Sequence, residues 1–198
     1  MSLRNHVDPE LLETLDAFGA MGLHTNPVSQ GTLETYREEL ATLYRQAPPP
    51  DTTGLRLSKL SIPSADGQSV NRALVYRSTI AHGPTAVVMY IHGGGFVLGA
   101  PEYHEERCCR IARTLGVTVV APAYRLAPES PFPSALDDCY ACLQEIENLA
   151  DELSIDAERL AVFGESAGGG LAASLVQRSV AENGPLIAYQ ALHCPMLD

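Results

Sequence analysis

Gly164-Glu165-Ser166-Ala167-Gly168 has the spacing of a serine prepared for nucleophilic attack. Arg159 to Phe163 before it reads as a short buried strand, and Gly169 to Gln177 after it as a helix. A serine on such a strand-to-helix turn has its hydroxyl pushed out at the carboxyl end of a sheet, over the amino end of a helix. The flanking glycines let the two backbones approach closely and tolerate positive φ. Serine alone is a weak nucleophile. It needs a base to take its proton and an acid to orient that base.

A second stretch, His92-Gly93-Gly94-Gly95-Phe96, follows the apolar run Ala86 to Ile91. Three glycines remove every side chain, so backbone N–H groups can approach a substrate oxygen. An oxyanion needs two or three such donors near 3 Å, each worth roughly 3 kcal/mol of transition-state stabilisation. The N–H of Ala167, just after the serine, is another expected donor, because the helix dipole there favours negative charge. Two rival readings are a flexible turn and a phosphate loop. No Gly-Lys-Ser/Thr follows, and Phe96-Val97-Leu98 is apolar, which weighs against phosphate.

The third stretch is Tyr124-Arg125-Leu126-Ala127-Pro128-Glu129, followed by Pro131-Phe132-Pro133 and Ala135-Leu136-Asp137-Asp138. With these three stretches the chain resembles the hormone-sensitive-lipase-like group of α/β-hydrolases, microbial carboxylesterases with an HGGG loop. The resemblance implies that Ser166 is the nucleophile and that Gly93, Gly94 and Ala167 donate to the oxyanion. It gives His92, Gly95 and Glu165 a supporting role, with Glu165 standing where the group more often has aspartate. It implies a small-molecule ester substrate with a short to medium acyl chain, and neither cofactor nor metal. Amide or lactone hydrolysis would use the same machinery. Some plant hormone receptors resemble the same group without its catalytic histidine, so a binding protein is the alternative. Arg125 and Glu129 are expected to pair and hold their loop. Asp137 and Asp138 fall in the first turns of a helix, where negative charge suits the dipole. His104 lacks an i, i+4 partner for a metal, and His6, His24 and His82 lie in polar or terminal stretches.

The elements that must position these residues can be read from the pattern. Asp8 is expected to cap a helix with Pro9 at its first position and Leu11, Leu12, Leu15 and Phe18 at helical spacing, ending at Gly19 and Gly22. A second helix carries Leu33, Tyr36, Leu40, Leu43 and Tyr44 on one face. Pro48-Pro49-Pro50 separates this helical cap segment, residues 1–50, from a catalytic region over 51–198. Leu55 to Ile62 and Val70 to Tyr76 read as antiparallel strands around an Asp66-Gly67 turn. Then strands and helices alternate: strand 86–91, helix 103–115 with Cys108, Ile111, Ala112 and Leu115 inward, strand 117–121, helix 134–149, strand 160–163, helix 167–181 and strand 187–193. The expected fold class is α/β, an α/β-hydrolase fold with a mostly parallel sheet covered by helices on both faces.

The order general to that fold is serine, then acid, then histidine. After Ser166 the acidic candidates are Glu182 and Asp198, and the one histidine is His193. Glu182 should stand more than about 20 Å from Ser166, at the far end of a helix rising 1.5 Å per residue. The sequence expectation is therefore that acid and base lie beyond residue 198, with the last strands and helices missing. On that expectation strand 187–193 is an open edge, Leu171, Leu175 and Tyr189 lose cover, and the chain self-associates.

Acidic residues outnumber basic ones by 24 to 13, a formal net charge of −11, which argues against nucleic acid and anionic membrane surfaces as partners. The first residues carry no basic-then-apolar signal, no apolar run approaches bilayer length, and the five cysteines form no metal-like pair. The expected location is the cytoplasm.

Overall fold

The computed structural model describes residues 7–20, 31–63 and 70–197. His6, Gly22, His24, the Asp66-Gly67 turn and Asp198 lie outside these, as do the side chains of Leu15 and Phe18. The chain divides into two compact units, Met1–Arg45 and Gln46–Asp198.

In the first unit, α1 (Pro9–Ala20) begins at Asp8, whose Oδ1 accepts the Glu10 N–H at 3.0 Å. That bond satisfies one of the unpaired donors of a helix start. In α2 (Leu33–Gln46) Leu33 is buried, Tyr36 and Leu40 are half-buried, and Leu43 and Tyr44 are exposed.

The second unit is built on a six-stranded sheet. Its strands are β1 (Leu55–Pro63), β2 (Val70–Ser78), β3 (Thr85–Ile91), β4 (Thr118–Ala123), β5 (Ile155–Glu165) and β6 (Tyr189–His193), in the order β1-β2-β4-β3-β5-β6. The β1–β2 and β2–β4 pairs are antiparallel, and β4–β3, β3–β5 and β5–β6 are parallel. A 3₁₀ turn (Pro101–His104) leads into α3 (Glu105–Leu115), and α4 (Ser134–Asn148), a short α5 (Ala150–Leu153) and α6 (Ala167–Ala181) complete the unit.

Side chains alternate across a strand, so each strand feeds two cores. Val87, Met89 and Ile91 of β3 join Cys139, Leu143 and Ile146 of α4 and Leu171 and Leu175 of α6. Tyr90 faces the other way and joins Cys108, Cys109 and Ala112 of α3 with Leu74 and Tyr76 of β2. Full burial of a residue such as Leu143 or Leu175 is worth roughly 1.5–3 kcal/mol, which fixes α4 and α6 to the sheet. Helices therefore cover both faces, as the continuous apolar strands imply.

Two expectations about cover are corrected. Leu171 and Leu175 are buried, at 6% and 0% exposure, because α4 packs over α6. Leu115 is exposed, and Cys109 is buried in its place: Leu115 shares the azimuth of Cys108 but lies in the last turn of α3, where the sheet no longer covers it. Tyr189 on β6 is exposed, as expected.

The register of the central strands matters most for function. The β3–β4 pairing stops at Met89↔Val120, while β3–β5 continues to Ile91↔Gly164. Pro122, which cannot donate to a ladder, falls past the end of the β3 pairing. The sheet thus opens between β3 and β4 at their carboxyl ends. The segments after Ile91 and after Gly164 leave it side by side.

Candidate active site

Ser166 is half-buried and sits between β5 and α6 with φ 53° and ψ −119°. A non-glycine residue there costs of the order of 1–3 kcal/mol and persists only where its surroundings enforce it. Several bonds do so. Ser166 N–H donates to the His193 carbonyl at 2.9 Å, and the Ser166 carbonyl accepts from Gly169, Gly170 and Met196 at 2.9, 3.1 and 3.0 Å. The hydroxyl makes no capping bond to α6, which leaves it available for chemistry.

Glycine allows the close contacts around it. A Cβ on Gly168 would overlap the carbonyl oxygens of Ile91 and His92, so α6 starts directly against the end of β3. A Cβ on Gly93 would come within 2.9 Å of the Glu165 carbonyl and 3.1 Å of Ser166 Cβ. The glycine loop and the elbow, 73 residues apart in number (166 less 93), thus touch. Gly94 has φ +126°, a conformation that side chains rarely adopt. Among the described residues, the turn and loop hydrogen bonds use none of the N–H groups of Gly93, Gly94 or Ala167. Ala167 begins the helix, where N–H groups have no intrahelical acceptor and the dipole is positive.

His92 lies beneath this loop at 1% exposure. Its Nδ1 donates to the Gly93 carbonyl at 2.7 Å, and the Tyr124 hydroxyl donates to the His92 carbonyl at 2.8 Å. The Tyr124 ring stacks on the imidazole with centroids 4.2 Å apart. Burial pulls the His92 pKa down to about 4, so the ring is neutral at pH 7. The unfolded chain then binds the proton more readily than the folded one between about pH 6.5 and 4. Stability is accordingly intact above pH 6.5 and falls as the pH drops through that window, by about 3 kcal/mol for a group this buried. His104, whose pKa burial also lowers, adds a loss of the same sign. Urea unfolding at pH 7.5 and 4.5 should show this slope, and His92→Asn should flatten it.

The carboxylate before the nucleophile is held from outside the motif. Glu165 Oε2 accepts from Arg107 Nη1 of α3 and, at 3.1 Å, from the Tyr90 hydroxyl of β3. Its Oε1 faces His193 Nδ1 at 3.7 Å. No local sequence pattern points to Arg107 or Tyr90 as partners. After β4, Arg125 forms a bidentate ion pair with the buried Asp138, at 2.8–3.1 Å, and its N–H also bonds that carboxylate at 2.8 Å. Arg125 is thus paired with Asp138, from the helix.

No histidine bond reaches Ser166 Oγ among the described residues. His92 bonds Gly93 and Tyr124, His104 bonds Tyr90, and His193 faces Glu165. His82 is exposed in the turn before β3, at the opposite end of that strand from the glycine loop. Glu182 ends α6 and pairs with Arg178 at 2.8 Å, far from the serine.

An apolar cavity of about 360 Å³ adjoins the glycine loop, lined by Gly95, Phe96, Ala127, Phe132, Leu136 and Leu171 among others. Phe132 at its rim is 86% exposed. A larger cavity, about 830 Å³, lies between α4 and the end of α6. It is polar, it is crossed by the Arg178–Asp137 ion pair, and it sits a helix length from Ser166, so the smaller one is the better substrate site.

Comparison with known proteins agrees with this geometry. A family described as alpha/beta hydrolase fold matches residues 88–198. Over 189 residues the chain is 35% identical to esterase LipI of Mycobacterium tuberculosis, covering 96% of this chain and 57% of that protein. It is 37% identical over 150 residues to an ethyl acetate hydrolase of Pseudomonas putida, covering 74% of this chain and 45% of the relative. The solved structure of a bacterial heroin esterase superposes with a TM-score of 0.83 at 35% identity, covering 100% of this chain and 60% of that one. The chain thus spans about half to three-fifths of the length of these proteins.

Proposed function

The chain belongs to the alpha/beta hydrolase fold family, and on that premise we propose that it is built to hydrolyse carboxylic esters with short to medium acyl chains through an acyl-enzyme on Ser166. The observation that supports this reading is the close approach of the glycine loop to the elbow: a Cβ on Gly93 would lie 3.1 Å from Ser166 Cβ. Ser166 Oγ attacks the ester carbonyl and gives its proton to a base. The tetrahedral oxygen takes hydrogen bonds from the N–H groups of Ala167, Gly93 and Gly94. Collapse expels the alcohol, which recovers the proton, and water then releases the acid from the serine. The cavity beside Gly95 and Phe96 suits an apolar portion of the ester. His92, with Tyr124 beneath it, and Glu165 support the loop and the elbow. The esterase and hydrolase names of the relatives favour the same chemistry.

The second reading is a protein that binds an ester or acid without turnover. A fluorophosphonate probe separates the two. With the acid and base expected beyond residue 198 in place, covalent labelling mapped to Ser166 by peptide mass spectrometry is the expected result. A chain that binds the probe reversibly and stays unlabelled would support binding alone.

A further inference from the structure

The site contains one charge that the proposed chemistry does not use and should not tolerate unopposed. Glu165 directly precedes the nucleophile, one peptide unit from the residue at which an oxyanion would form. A bare negative charge there raises the energy of the transition state and not that of the neutral ester. The groups around it come from three other elements. Arg107 of α3 and Tyr90 of β3 share Oε2, and His193 of β6 faces Oε1 at 3.7 Å. The Tyr90 hydroxyl is itself 3.4 Å from Arg107 Nη1 and 3.2 Å from His104 Nδ1. Of these groups Arg107 is the one charged at every working pH. The Tyr90 ring stacks on Phe163 with centroids 5.2 Å apart, and Phe163 lies on β5 two residues before Glu165, so the arrangement is anchored to the strand that carries the elbow.

We propose that Arg107 is a positioning residue for the nucleophile, acting through Glu165: its guanidinium fixes and neutralises that carboxylate, so that no bare negative charge opposes the oxyanion held by Ala167. The role rests on the reading of Ser166 as the attacking group. It differs from simple bracing of the fold in one respect. If Arg107 matters because of the charge on Glu165, then removing that charge should repair the loss of Arg107.

The test, made in the protein carrying the acid and base expected beyond residue 198, is the second-order rate of fluorophosphonate labelling at Ser166, which also passes through a developing phosphoryl oxyanion. Arg107→Gln should label about tenfold more slowly than the parent chain, with its melting transition retained. Adding Glu165→Gln should recover most of that loss, and Arg107→Lys, which keeps the charge, should stay within about threefold of the parent. Where p-nitrophenyl acetate turnover is measured, the loss should fall in kcat rather than KM. Arg107→Gln at the parental rate, a double variant as slow as the single one, or Arg107→Lys as slow as Arg107→Gln would each overturn the role. If Arg107→Gln fails to fold, Arg107→Lys decides alone, and a tenfold loss there overturns it. No labelling of the parent overturns the functional reading and this role with it, whereas a labelled parent with an indifferent Arg107→Gln overturns only the role.

Discussion

In the protein carrying the acid and base expected beyond residue 198, Ser166→Ala is expected to lower p-nitrophenyl ester turnover by about 10⁴-fold or more and to abolish fluorophosphonate labelling. The effect should be this large because Ser166 carries the one side-chain hydroxyl in the Gly164–Gly168 turn. Glu165 is engaged by Arg107 and Tyr90, and the glycine loop presents only backbone. It should also be clean. The hydroxyl makes no helix-capping bond, and the strained φ of 53° is imposed by backbone contacts that alanine keeps. The variant should therefore melt with the parent. Labelling that survives at another residue, or turnover that survives at the parental rate, would remove Ser166 from the chemistry.

Gly168→Ala carries the second large effect, by a different route. A methyl group there would overlap the carbonyl oxygens of Ile91 and His92, which are backbone atoms and cannot rotate away. Either α6 moves off the end of β3 or the glycine loop is displaced. The expected cost is about 3 kcal/mol in urea unfolding. Labelling of the remaining folded protein should slow by about 100-fold, because a shift of about 1 Å between nucleophile and oxyanion donors has that consequence. Gly95→Ala is the control. Gly95 is exposed, and a Cβ there meets nothing closer than Val97 Cγ2 at 3.9 Å, so its penalty is confined to its positive φ. If the two variants behave alike, close packing at Gly168 is not what aligns the site.

The alternation of buried strands and helices was legible because it depends on local periodicity. The helix over 167–181 and the strand ending at Ile91 are both where the pattern puts them. The start of β5 was not legible. Asp156 and Glu158 look like a loop, yet they belong to an 11-residue strand whose early pairing with β3 shifts register between Thr85 and Val87. The two glycine stretches named their own residues, since backbone donors need glycine whatever surrounds them. Their supports were hidden. Arg107 meets Glu165 across 58 positions, and Arg125 meets Asp138 across 13, and neither distance is a helical or strand repeat. Only the strand order and the packing of α3 on the sheet bring the first pair together. Leu171 and Leu175 looked vulnerable because their cover comes from α4, an earlier element in the chain.

One carbonyl couples two parts of the molecule. The Ser166 oxygen receives N–H groups from Gly169 and Gly170 in α6 and from Met196 in the segment after β6. Breaking that hub releases the first turn of the helix and the 194–196 segment together, so the two open as one cooperative unit. Amide exchange at Gly169 and Gly170 is therefore expected to be slower than around Phe132, exposed at the cavity rim. Reaction geometry and ligand fit are in this way assigned to regions with different lifetimes, and substitutions that tune one can leave the other undisturbed.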